Sequence, residues 1–233
     1  MITTATHAEY IARKADWQLI HAMTTGEGVS GHLNKRYFEA EAHFKDRKAS
    51  ADFTPLTRYL ISRLVGILFQ REQEVERDAG NLSEEDLGTA GPRGEHYRVQ
   101  LMELADTLIA YDTAYVIMNP RRGLEIASPL HVPNWTGREI VVRGTRTTGG
   151  SVFSDVEQVD TWTRYMPAGY EVYRQVKGDD GKAQDELIES GLWAETEDGE
   201  ENAYFVRPTW SKAAGEPMPP VIRIDMPWEA RFG

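Results

Sequence analysis

Cysteine is absent from the 233 residues, so no disulfide can staple the fold and no thiolate zinc site can form. No apolar run approaches the ~20 residues a helix needs to cross a bilayer. The opening Met1-Ile2-Thr3-Thr4 lacks the basic flank and apolar core of a secretory leader. A soluble protein made in the cytoplasm is the expectation. Net positive charge is missing too: the formal charge is −11. Residues 1–80 hold 11 basic and 11 acidic side chains, so the excess of acid falls in residues 81–233. A surface of that sign repels phosphate and argues against sequence-specific reading of nucleic acid.

Catalytic and ligand-binding signatures are also scarce. There is no P-loop, no H-E-x-x-H and no G-x-S-x-G around any serine. The six histidines, His7, His21, His32, His43, His96 and His131, form no close ligand pair, so no metal site is expected. Gly26-Glu27-Gly28-Val29-Ser30-Gly31 matches G-x-G-x-x-G, but an amphipathic segment precedes it where a dinucleotide fold needs a strand. It reads as a loop that ends a helix. Asp179-Asp180-Gly181 has turn chemistry without the ligand spacing of a calcium loop. Glu84, Glu85 and Asp86 read as a polar loop or helix start. No catalytic residue, cofactor site or metal ligand is assigned, and the chain is expected not to be an enzyme.

What is present is a 40% hydrophobic content, enough for a core, in two textures. Residues 1–111 are mainly helical in pattern. Thr6 and Glu9 match a capping box ahead of a helix whose Tyr10, Trp17 and Ile20 share a face. A second helix is expected over about 34–51, with Tyr37, Ala40, Phe44 and Ala51 on one side. Thr54-Pro55 suits the start of a third, with Leu56, Leu60, Leu64, Ile67 and Leu68 as its apolar stripe. A Gly- and Pro-rich loop spans 78–94, and a fourth helix is expected over about 95–111. Residues 112–233 read as β-rich. Strands are expected at 113–118, 139–143 and 221–225, with hairpins joining 159–165 to 170–176 and 192–196 to 203–206. The class is α+β, with helices first and a mostly antiparallel sheet region after them. Trp135, Trp162, Trp193, Trp210 and Trp228, with Tyr165, Tyr170, Tyr173 and Tyr204, crowd the second half as sheet core or subunit contacts.

The order of these features resembles the N-terminal, wing-like part of tailed-bacteriophage portal proteins. Tyr37 to Arg47 resembles the family's Y-x(n)-R segment, and Phe53-Thr54-Pro55 leads into Leu64-Val65-Gly66-Ile67-Leu68-Phe69, similar to its L-V-G-x-x-F run. Ala110 to Ile117 resembles the helix-to-strand step, with Asp112 where the family often has glycine. Asn134-Trp135 and Met226-Pro227-Trp228 are similar to later elements. The motifs are collinear over about 10–228.

The resemblance implies a structural virion protein, a homo-oligomeric ring of about twelve copies at the capsid vertex. It would contact capsid, adaptor and terminase proteins, join head to tail, and pass double-stranded DNA during packaging and ejection without reading its sequence. Portals continue into stem and clip regions, which this sequence does not contain. A portal split over two polypeptides, a truncated product and a wing-like virion protein are the alternatives. A non-enzymatic α+β module that binds a protein partner is the rival expectation.

Overall fold

The computed structural model describes residues 1–51, 53–70, 94–119, 123–148, 157–178, 181–192 and 221–226. The 192–206 hairpin, the acidic groups at 84–86, Asp179-Asp180, Trp193, Tyr204, Trp210, Pro227-Trp228 and nearly all of the 78–94 loop lie outside the described residues.

The fold is α+β, with helices followed by strands. Helix α1 spans Ala8–Thr25, a 3₁₀ turn η1 spans Val29–His32, α2 spans Glu41–Ala49, α3 spans Leu56–Phe69 and α4 spans Tyr97–Tyr111. Among the described residues eight strands follow: β1 (Thr113–Asn119), β2 (Gly123–Ala127), β3 (Asn134–Trp135), β4 (Ile140–Thr148), β5 (Glu157–Tyr165), β6 (Gly169–Lys177), β7 (Ala183–Leu192) and β8 (Val221–Asp225). A second 3₁₀ turn, η2, covers Pro129–His131. The strands form two sheets, β2-β1-β8 and β3-β4-β5-β6-β7, and every pairing is antiparallel. The expected β5–β6 hairpin is present, with Thr163 opposite Val172. Strands β2, β3 and β7 were not expected. β7 is polar along much of its length (AQDELIESGL), so it lacks the apolar alternation that marks a strand.

One core joins the two sheets. Tyr115 and Ile117 of β1, Ala127, Val132, Ile140, Tyr165 and Val221 pack together. A second cluster, Tyr10, Trp17 and Tyr111, seats α1 against α4, and Trp135 touches both clusters. Helices α1, α3 and α4 pack on one another, and α4 also lies on β1 and β2. Arg98 of α4 donates to the Phe69 carbonyl at 2.7 Å, which satisfies an otherwise orphaned group at the end of α3. Arg58 and Asp106 tie the same two helices at 2.6 Å.

The helix starts differ from the capping signals in sequence. His7, not Thr6, caps α1, its Nδ1 accepting from the Glu9 amide at 3.2 Å. Glu9 reaches instead across to Arg223 on β8 (2.7 and 2.9 Å), a charge-assisted pair stronger than a reciprocal cap bond. Pro55 rather than Thr54 precedes α3, with no side-chain cap. The second helix begins at Glu41 rather than near 34, so Tyr37 sits outside it in a turn and the expected Tyr37–Phe44 face does not form. The glycine loop does end α1: Gly26 takes φ +84° and its amide returns to the Ala22 carbonyl. Asp112 closes α4 at φ +63°, the one non-glycine with positive φ among the described residues.

Candidate functional site

Two surface features stand out: a polar cleft and an uncovered apolar face. The cleft, of about 450 Å³, lies between the end of α1, α3, α4, β2 and η2. His21, Arg58, Asp106, Tyr111, Ser128 and His131 supply its polar groups. His21 Nδ1 lies 3.2 Å from the Tyr111 hydroxyl, and Nε2 lies 3.4 Å from Glu27. Burial pushes the Tyr111 hydroxyl above its usual range. Ser128 Oγ and His131 Nδ1 are 3.0 Å apart. Burial, then the charges of His21 and Arg143, hold His131 below the ordinary histidine value, so its ring is neutral near pH 7.

A serine beside a neutral histidine invites comparison with a nucleophile–base pair. The two residues sit three apart at one 3₁₀ turn, and no described residue hydrogen-bonds the other ring nitrogen of His131. The orienting third group that fixes such a histidine is therefore lacking among the described residues. Arg58 is engaged by Asp106, so among the described lining residues it is not free to draw an anion. Among the described residues no group of three or more His, Asp or Glu is placed to hold a metal ion. The arrangement can hold a small polar molecule or water, and among the described residues Ser128 and His131 lack the third group that would activate a nucleophile.

The sequence brings two of its six histidines to this cleft, His21 and His131. The others separate: His7 stacks on Trp135 (4.0 Å between centroids), His32 lies in η1, His43 is exposed on α2 and His96 caps α4.

The apolar face is on α3. Ile61 and Val65 alone are buried, facing the other helices. The stripe read from sequence is turned away from that buried line and is exposed: Leu56, Leu60, Leu64, Ile67 and Leu68 are each half or more exposed, with Tyr59 beside them, and Leu68 borders the buried side. At 100° per residue, positions 56, 60, 64 and 67 fall on one side of the helix and 61 and 65 on another. The six exposed side chains present on the order of 600 Å², at the upper end of the ~300–600 Å² largest patch of a typical monomer. An exposed apolar patch of this size is the kind of surface that marks an interaction site. Val99, Leu101 and Met102 of α4 are also exposed. No family model matches the chain, and a search of the curated proteins finds no match. No helix among the described residues is long and apolar enough to cross a membrane.

Sequence reasoning found the stripe and missed its direction. Both apolar lines of α3 carry Leu, Ile or Val, and composition does not rank them. The available signal was their number: seven Leu, Ile or Val in fourteen residues, plus Tyr59 and Phe69, exceed what one buried side needs.

Proposed function

We propose that this chain is a structural component of a phage virion, the wing-like part of a portal ring, and that α3 forms part of the contact between copies. The observation that chiefly supports this reading is the exposed apolar stripe of α3. It lies in the same Leu56–Phe69 segment whose L-V-G-x-x-F run carries the likeness to portal proteins. A ring subunit needs such a surface, because each copy buries part of its helical layer against the next. The position of Asp112 adds support: the step from α4 to β1 requires a left-handed residue, which is where the portal pattern often has glycine. The role is assembly rather than catalysis. The acidic excess suits a ring that lets DNA pass, since carboxylates repel phosphate over a Debye length of ~8 Å.

The test is the mass of the purified chain in solution by light scattering, followed by imaging. Ring-shaped oligomers are expected, about twelve-fold by likeness to portals. Leu60→Glu with Ile67→Glu should reduce them to monomers while leaving the fold intact by circular dichroism. A wild-type chain that stays monomeric at all concentrations refutes the reading. So does a phage particle in which the chain is missing from the portal vertex.

A further inference from the structure

From Gly31 to Ala51 no residue is buried. The stretch is nonetheless built. Arg36 and Glu39 close a turn, the Glu39 amide donating to the Arg36 carbonyl at 3.0 Å. The Arg36 amide in turn donates to Glu39 Oε2 at 3.1 Å. Arg47 of α2 grips that carboxylate with Nε and Nη2, both at 2.8 Å, and Nη2 also reaches the Asn34 carbonyl at 2.9 Å. Lys35 pairs with Glu41 at 3.0 Å. Held at the centre of this turn are Tyr37 and Phe38, 93% and 94% exposed. Their rings meet edge to face at 4.7 Å and 86°, so each ring limits the other's motion. Scattered apolar residues on a surface need no explanation; a clamped pair of bare aromatics at the tip of an arm without a core does. Rigid aromatic side chains lose little entropy on docking and dominate interface energetics.

We propose that residues 31–51 are a docking arm whose Tyr37–Phe38 tip seats on the exposed α3 stripe, Leu56, Leu60, Leu64 and Ile67, of a second copy of this chain. The inference rests on the ring reading above and names the two surfaces of its contact. A head-to-tail contact needs two different complementary surfaces on one chain, and this chain has an apolar knob and an apolar shelf. Charge selects the occupant. Residues 35–48 carry five Lys or Arg against three Asp or Glu, in a chain of net charge −11. The arm is therefore steered at long range toward the net-acidic remainder of another copy, whereas an anionic membrane repels that remainder; the shelf itself has Arg58, already paired with Asp106, and Arg63, so the contact there is apolar. Size fits as well. The arm is about twenty residues, and one side of a standard interface uses ~20–30. Its two rings alone offer roughly 300–500 Å².

The absence of native cysteine makes cross-linking unambiguous. A chain carrying Phe38→Cys and Leu60→Cys together should oxidise into a ladder of covalent dimers, trimers and higher multimers, while each single variant should give no ladder. An intramolecular disulfide in a monomer overturns the proposal, because the arm then covers its own stripe. Complementation gives a second readout. Tyr37→Ser with Phe38→Ser should weaken association roughly a hundredfold, as expected for two hot-spot aromatics. Mixed with the Leu60→Glu, Ile67→Glu chain, it should form one-to-one heterodimers and nothing larger, since only one productive contact remains. If the tip variant still forms rings, the arm proposal fails and the ring reading stands. If wild type is monomeric, both fail. Loss of binding to anionic lipid vesicles by the tip variant, with rings retained, identifies a membrane anchor and also overturns the proposal.

Discussion

Replacing Arg223 with methionine removes a staple between the first helix and the last described strand. Arg223 donates to both oxygens of Glu9 at 2.7 and 2.9 Å, and its guanidinium lies 5.1 Å from the Trp135 ring centroid. The Arg223 side chain is 25% exposed and that of Glu9 34%, so water screens the pair only in part. Charge-assisted hydrogen bonds of this kind contribute about 1.5–3 kcal/mol, and the cation–π contact about 0.5–1 kcal/mol. Arg223→Met should cost about 2–4 kcal/mol and lower Tm by about 5–12 °C for a chain of this length. Glu9→Gln keeps the shape and should cost about 1–2 kcal/mol. A double-mutant cycle by chemical denaturation should give a coupling of about 1–2 kcal/mol at pH 7. The Arg223 hydrogen bond, opposed by burial and aided by the charges of Arg223, Arg13 and His7, holds the Glu9 carboxyl below its ordinary value. The folded value is thus lower than the unfolded one. The stabilisation is complete above the ordinary carboxylate range and disappears as pH falls through the depressed value. Coupling should hold between about pH 7 and 5 and shrink in stronger acid. A coupling below about 0.3 kcal/mol at pH 7, or one that does not change on acidification, refutes the reasoning.

Asp112→Gly should raise stability by roughly 0.5–1 kcal/mol in urea titration, since it relieves a left-handed non-glycine for the loss of a weak 3.6 Å contact to Arg13; Asp112→Val should lower stability. Gly191→Ala should destabilise by about 1–3 kcal/mol, because its Cβ would lie 2.6 Å from Cε1 of Tyr170, a ring anchored by its hydroxyl on Glu189 at 2.7 Å. Trp17→Ala should cost about 3–5 kcal/mol, the side chain being buried between α1 and α4. Glu39→Gln should loosen the arm, read as loss of fixed Tyr37–Phe38 ring contacts by NMR; the Arg47 hydrogen bond, then that from the Arg36 amide, pulls the Glu39 carboxyl down to about 2, so in the native arm those contacts should persist until pH falls to that value.

The class and the order of elements were legible because apolar periodicity is a local property. Trp17 and Tyr10 mark the buried side of α1, and TAYVIM marks β1 between turn residues. β7 escaped because its pairing to β6, not its own pattern, makes it a strand. The second helix was placed too early because Tyr37 and Phe44 stand seven residues apart, as helical neighbours do. The bidentate Arg47–Glu39 clamp diverts the chain into a turn first. Glu9 looked like a capping residue for the same reason: its true partner is 214 positions away, beyond any local pattern. The direction of the α3 stripe was illegible on similar grounds, since what a helix side touches depends on the rest of the fold.

The pairing of β1 with β8 sets an order of events during synthesis. Thr113 opposes Asp225 in that ladder, so the three-stranded platform beneath α4 cannot close until residue 225 has left the ribosome. At ~5–20 residues per second the helices wait roughly 6–20 s for their support. During that interval α4 lacks β8 beneath the sheet on which it lies, while the exposed stripe of α3 is already available for contacts with other chains. Contacts between nascent chains on neighbouring ribosomes would then form on an unfinished body, and slowing translation between β7 and β8 should raise the yield of misassembled aggregates.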